Sequence, residues 1–62
     1  MRRYEAVLTA DYKLQRRELG VRFEAASKHD ARRNHGPKIV HHLSVFGEFS
    51  NIRLERIEEL RA

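Results

Sequence analysis

The residues that could carry chemistry are concentrated between Lys28 and His42. This stretch holds all four histidines, four lysines or arginines and the only proline of the 62-residue chain. Imidazole nitrogens bind transition metals, and with a pKa of about 6.5 they also gain charge in mild acid. Lysine and arginine side chains attract phosphate groups. Metal binding, catalysis and anion binding are therefore the chemistries that this stretch could perform.

The histidine spacing argues against a metal site. His29 and His35 lie six residues apart, and His41 and His42 are adjacent. Neither pair has the i, i+4 spacing that places two imidazoles on one helix face. The chain also has no cysteine and no dedicated set of carboxylates to complete a site. We predict that the protein holds no metal and no cofactor.

Catalytic motifs are missing from the sequence as well. There is no glycine-rich phosphate loop, no nucleophile elbow and no His-Glu-x-x-His pattern. A chain of 62 residues also has little room for a concave apolar pocket. We predict that the protein is not an enzyme, and we assign it no catalytic residue.

The surplus of basic residues favours nucleic acid as a partner. Thirteen lysines and arginines against nine acidic residues give a formal charge of +4, and residues 28–42 hold four cations against one anion. Such a surplus on a short chain is typical of proteins that bind DNA or RNA phosphates. A charged, solvated surface is the alternative explanation. We predict a small basic regulator that contacts phosphates through Lys28, Arg32, Arg33, Lys38, Arg16 and Arg17.

The elements that would position these cations are predicted to be helices. Ala, Glu, Lys, Leu and Arg make up 32 of the 62 residues, a proportion typical of long helices. Spacings of three, four and seven place a first stripe of residues on one helix face: Tyr4, Leu8, Tyr12, Gln15, Leu19, Phe23 and Ala26. A second stripe comprises Ile39, Leu43, Phe46, Phe49, Ile57 and Leu60, and residues 51–61 form its most regular part.

A break at Asn34–Pro37 would fold these two helices into a hairpin. Gly36 can supply the left-handed residue that ends a helix, and Pro37 can begin the next one. Gly20 and Gly47 could break each helix once more. We therefore predict a single all-α domain, residues 1–62, folded as a helical hairpin that turns at Asn34–Pro37.

Local signals also permit a different fold. Ser27 followed by Asp30 predicts an N-cap, which would start a new helix after a break near residues 20–26. Tyr, Val and Thr between residues 3 and 9 are typical of strands, and residues 38–46 can be interpreted as an alternating strand. The alternative is a small α+β fold with strands near 3–9 and 38–46.

The apolar residues predict a partner chain. A domain of this size buries only about 60% of the surface that its unfolded chain exposes, and no disulfide reinforces it. We expect a homodimer, with a partner interface that involves Tyr12, Leu19, Phe23, Phe46 and Phe49. A non-enzymatic protein-interaction module, such as an inhibitor or adaptor, is therefore the alternative function.

Composition also predicts where the protein resides. No run approaches the roughly 20 apolar residues needed to cross a bilayer, and the N-terminal apolar run is too short for a secretory signal. Without cysteine the chain forms no disulfide. We expect a cytoplasmic protein that does not contact membranes.

Overall fold

Three strands form an antiparallel sheet in the computed structural model, which describes residues 1–61. Their order is β2-β1-β3, with β1 at Arg2–Tyr12, β2 at Gln15–Ala25 and β3 at Ser50–Glu59. Between β2 and β3 the chain is helical: an α-helical turn at Lys28–Asp30, a π-helical turn at Ala31–His35 and an α-helix at Gly36–Phe46. These three parts follow one another without a gap, and we call them the helical segment.

The predicted all-α helical hairpin is wrong. Most of the stretch expected to form the first helix is instead the β1–β2 hairpin, and the stretch expected to be helical at 51–61 lies largely in β3. The residues of β1 that face the helical segment lie at every second position: Tyr4, Ala6, Leu8 and Ala10, all fully buried. Residues four apart share a face in a strand as well as in a helix, so the spacing of Tyr4, Leu8 and Tyr12 satisfied both patterns.

An irregular ladder explains why β3 has a helix-like sequence pattern. Ile57 pairs with Ala6 and Leu54 pairs with Leu8, with a register shift between these two pairs. One extra residue on β3 therefore lengthens the apolar spacing from two to three. A spacing of three is typical of helices, and this bulge led to the wrong prediction for the C-terminal stretch.

A two-residue turn, Lys13-Leu14, joins β1 to β2. Both residues have positive φ angles, 47° and 65°, as a type I′ turn requires. The register then stays regular from Tyr12↔Gln15 to Arg2↔Ala25. No Asn-Gly or Asp-Gly pair marks this turn, so the sequence signals favoured a continuous helix across it.

The helical segment continues through Gly36-Pro37, so the predicted turn at Asn34–Pro37 is wrong. Gly36 has a right-handed φ of −53°, and its N–H donates to the carbonyl of Ala31, five residues earlier. In a regular α-helix the proline ring would clash with the carbonyl four residues back. The wider π-helical turn immediately before Pro37 relieves that clash and lets the helix continue.

Two further expectations from the sequence were an N-cap at Ser27 and, as an alternative fold, an α+β arrangement. The N-cap is confirmed, because the Ser27 Oγ accepts a hydrogen bond of 3.1 Å from the N–H of Asp30. In the α+β alternative, the strand near 3–9 lies within β1. The strand near 38–46 is wrong, because those residues are helical.

The core lies between one face of the sheet and the helical segment. Its buried residues are Tyr4, Ala6, Leu8, Ala25, Ala31 and Ile57. Gly36 allows the helical segment to approach β3, since a Cβ at this position would lie 3.1 Å from Cδ2 of Leu54. Among residues 1–61 there is no helix long and apolar enough to cross a membrane.

Candidate nucleic-acid interface

The helical segment carries four exposed cations: Lys28, Arg32, Arg33 and Lys38. We call them the basic helix face. Within residues 1–61, none of the four forms an ion pair or a side-chain hydrogen bond. Their charges are therefore directed to solvent without an internal counterion.

Asp30, the one acidic residue of the helical segment, is occupied by its own neighbours. Its Oδ1 accepts a 2.6 Å hydrogen bond from Nδ2 of Asn34, and its Oδ2 accepts a 3.1 Å bond from the N–H of Ala26. Nε2 of His35 lies 3.4 Å from the same Oδ2. The hydrogen bond from Asn34, followed by that from Ala26, lowers the pKa of Asp30. This carboxylate holds the helix N-terminus and pairs with none of the basic helix face.

The face of the sheet opposite the helical segment, which we call the open face, balances its own charges. It carries four arginine–carboxylate pairs: Arg22–Glu5 at 3.6 Å, Arg16–Asp11 at 3.2 Å, Arg53–Glu55 at 3.4 Å, and Arg56–Glu58. Paired exposed charges contribute little net field. The surplus positive charge of the chain therefore belongs mainly to the helical side.

Arg16 lies on the open face and not with the helix cations. Its guanidinium donates to Oγ1 of Thr9 at 2.8 Å, to the carbonyl of Asn51 at 2.7 Å and to Oδ1 of Asp11 at 3.2 Å. These bonds join all three strands near the Lys13-Leu14 turn. The same Asp11 has a lowered pKa, because Asn51 and then Arg16 donate hydrogen bonds to it.

Arg17 is placed differently from Arg16. It pairs with Ala10, whose side chain faces the helical segment, so Arg17 lies on the helical side of the sheet. It is exposed, and its Nη2 donates to Oε1 of Gln15 at 2.9 Å. The structure therefore brings Lys28, Arg32, Arg33 and Lys38 onto one segment, and adds Arg17 on the same side at the turn end of β2.

A shallow groove lies between the helical segment and β3. It has a volume of about 540 Å³ and is lined by Arg32, Gly36, Pro37, Val40, His41, Ser44 and Leu54. Val40 and Leu54 are half-buried and apolar, whereas Arg32 and His41 are exposed and can donate hydrogen bonds. Such a groove can receive a flexible chain that carries phosphates, with Arg32 as the bidentate contact.

The histidines have separate environments. His35 stacks on Phe23 with ring centroids 5.2 Å apart, and His42 packs on Phe46 at 4.9 Å. His29 and His41 are exposed. In the described part of the chain, no three potential metal ligands lie close enough to share an ion. His35 thus belongs to the packing of the helical segment on the sheet.

The five residues predicted for a partner interface do not share one environment. Leu19 and Phe23 pack against the core, and Tyr12 contacts Phe49 with ring centroids 5.1 Å apart. Phe46 is 71% exposed at the end of the helical segment.

The ion pairs Arg16–Asp11 and Arg22–Glu5 had no signal in the sequence, because they depend on the register of β1 and β2. The other two pairs, Arg53–Glu55 and Arg56–Glu58, join residues only two positions apart in β3.

Comparisons of the chain with protein-family models, curated proteins and solved structures found no match.

Proposed function

We propose that the protein binds nucleic acid by contacting phosphates with its basic helix face. The observation that carries this proposal is the separation of charge between the two sides. Four arginines of the open face, Arg16, Arg22, Arg53 and Arg56, are paired with carboxylates, whereas Lys28, Arg32, Arg33 and Lys38 have no such partner within the described residues. Phosphate can bind these four cations without breaking an internal ion pair.

Contacts of this kind supply affinity and position but no choice of sequence. Each phosphate contact releases condensed counterions, so the binding constant falls steeply with salt. If all four cations contact a DNA duplex, the logarithm of the binding constant should fall against the logarithm of the salt concentration with a slope of about −3.5. Both DNA and RNA fit this chemistry.

The test is binding to fluorescently labelled duplex DNA and RNA, followed by anisotropy over a series of salt concentrations. The double variant Arg32→Ala/Arg33→Ala should weaken binding by about tenfold or more in low salt and should reduce the salt slope by about 2. Both side chains are exposed and unpaired in the described chain, so the fold should persist.

A matched control is Arg53→Ala/Arg56→Ala, which removes the same charge from the open face. This variant should bind nearly as well as the unmodified protein. Equal weakening by both variants would mean that net charge alone drives binding. Unchanged binding by Arg32→Ala/Arg33→Ala would refute the proposal.

A protein-interaction module is the second candidate function. It is favoured by the end of the helical segment, where Val45 is 55% exposed and Phe46 is 71% exposed. Neighbouring exposed apolar side chains are typical of surfaces that bind other proteins. Absence of salt-sensitive binding to both DNA and RNA would favour this candidate over the first.

A further inference from the structure

The outer edge of β2 is long, regular and unpaired. In the sheet order β2-β1-β3, no element of residues 1–61 covers it. β2 pairs with β1 in eleven consecutive residue pairs without a bulge, whereas the β1–β3 ladder has two register shifts. Bulges and prolines are common ways to block a sheet edge, and β2 contains neither. This edge is therefore free to pair with another strand.

The geometry of the Lys13-Leu14 turn determines which backbone groups of β2 point away from β1. Because Lys13-Leu14 is a two-residue loop, Tyr12 and Gln15 form a hydrogen-bonded pair, and such pairs alternate along the ladder. The backbone N–H and C=O groups of the odd-numbered residues of β2 thus form hydrogen bonds with β1. The even-numbered residues, from 16 to 24, direct their N–H and C=O groups outward.

We infer that this edge pairs with β2 of a second copy of the chain, antiparallel and centred on Gly20. In this register Gly20 lies opposite Gly20 of the second copy, Glu18 opposite Arg22, and Arg16 opposite Glu24. The pairing allows about ten backbone hydrogen bonds between the copies. It forms one continuous six-stranded sheet with both helical segments on the same side.

Charge complementarity selects this register. Four opposite-charge pairs form across the two-fold axis, and opposite charges across strands are stabilising. A shift of two residues in one direction would place Glu18 opposite Glu24, and in the other direction Arg16 opposite Arg22. Like charges directly opposite each other are unfavourable. Neither Glu18 nor Glu24 forms an ion pair within 4.0 Å in the described chain, so both are available; Arg16 and Arg22 would each be shared with the carboxylate that they already contact, Asp11 and Glu5.

The helical side of the same strand is complementary as well. In this register Leu19 lies opposite Val21 of the second copy, and both residues are only half-buried in a single chain. Arg17 lies opposite Phe23, a pairing that allows a cation–π contact. The centre of the proposed interface is thus apolar and its flanks are charged, as in many protein interfaces.

Disulfide trapping tests the register directly, because the chain has no cysteine of its own. Gly20→Cys should form a covalent dimer under mild oxidation, since its Cα would lie about 5.5 Å from its counterpart. A Cβ at this position lies 3.0 Å from Oε2 of Glu5, the mobile end of a side chain that can move aside. Glu18→Cys and Arg22→Cys should not cross-link, because each residue lies about 14 Å from its own copy. Equal cross-linking of all three, or a maximum away from residue 20, would overturn the inference.

Charge reversal tests the interface without a new covalent bond. Glu18→Arg places an arginine opposite Arg22 of the second copy, and should weaken dimerisation in sedimentation equilibrium by at least about tenfold. Glu48→Arg makes the same charge change in the exposed connection between the helical segment and β3, and should dimerise like the unmodified protein. Circular dichroism verifies that both variants are folded.

A monomeric unmodified protein, or an equal effect of Glu18→Arg and Glu48→Arg, would refute the interface. These experiments need no nucleic acid, so their outcome is independent of the proposed function.

Discussion

Tyr4 is fully buried in the core, yet its hydroxyl has no hydrogen-bond partner among residues 1–61. Its ring stacks on Phe23 with centroids 5.9 Å apart, so the aromatic part of the side chain is well packed. A buried hydroxyl that loses water without gaining a partner costs about 1–3 kcal/mol. The ring of Tyr4 therefore stabilises the fold, while its oxygen opposes that stabilisation.

Replacing Tyr4 by phenylalanine keeps the ring and removes the unpaired oxygen. Tyr4→Phe should raise the free energy of unfolding by about 1 kcal/mol in urea denaturation. Tyr12→Phe serves as the control, because Tyr12 is only half-buried and its hydroxyl can reach water; it should change little. A clear loss of stability in Tyr4→Phe would show that the hydroxyl contributes a favourable interaction.

The turn of the β1–β2 hairpin contains a residue with an unfavourable backbone conformation. Leu14 adopts a φ of 65°, and its side chain is fully exposed, with no packing to offset the strain. A left-handed conformation costs an ordinary residue about 1–2 kcal/mol, whereas glycine adopts it freely. A glycine at position 14 would avoid this backbone cost, but part of the gain in stability would be offset because glycine loses more chain entropy on folding.

Leu14→Gly should therefore stabilise the protein by about 0.5–1 kcal/mol, measured as the free energy of unfolding in urea. Leu14→Ala is the matched control, because it removes the exposed side chain but keeps the Cβ that causes the strain. The alanine variant should be close to the unmodified protein. Equal stabilisation by both variants would assign the effect to the lost apolar side chain and contradict the backbone explanation.

The helical segment shows how one element can pass through two residues that normally end helices. The π-helical turn at Ala31–His35 accommodates Pro37, and Gly36 lies against β3 where a larger residue would meet Leu54. This continuity determines where the four cations of the proposed interface lie. Lys28 and Lys38 stay on one continuous element, so no turn separates the four cations of the basic helix face.

Two aspartates hold opposite ends of the molecule and have lowered pKa values. Asp11 joins β1 to β3 through Asn51 and to β2 through Arg16, whereas Asp30 holds the start of the helical segment. Because the folded pKa values lie below the ordinary value of 3.8, the unfolded chain binds protons first as the pH falls. The stability from these groups is complete above the unfolded pKa, and it is lost as the pH falls through the folded values.

The free energy of unfolding should therefore decrease as the pH falls below about 4. The double variant Asp11→Asn/Asp30→Asn should be less stable at neutral pH and should lose less stability on acidification. Urea unfolding at a series of pH values measures both effects, and the two single variants assign them to each end of the molecule. An unchanged pH profile in the double variant would show that other carboxylates cause the acid sensitivity.

Some features of this protein follow from short stretches of sequence. The N-cap at Ser27 could be predicted because its hydrogen bond involves residues only three positions apart. The concentration of cations in residues 28–42 likewise needs only a count of residues. The strand near residues 3–9 was visible as an alternative, because Tyr, Val and Thr favour strands.

Other features depend on residues that are distant in the chain. Tyr4, Leu8 and Tyr12 fit a helix and a strand equally well, and the pairing of β1 with β2 and β3 resolves the ambiguity. Strand register also places Arg16 beside Asp11 and Arg22 beside Glu5, whereas Arg53 and Arg56 pair with carboxylates two residues away in β3. The basic helix face has no such ion pairs within the described residues. The positive charge of the stretch from Lys28 to His42 can be read from the sequence. That its cations are exposed and free to contact a partner is a property of the fold.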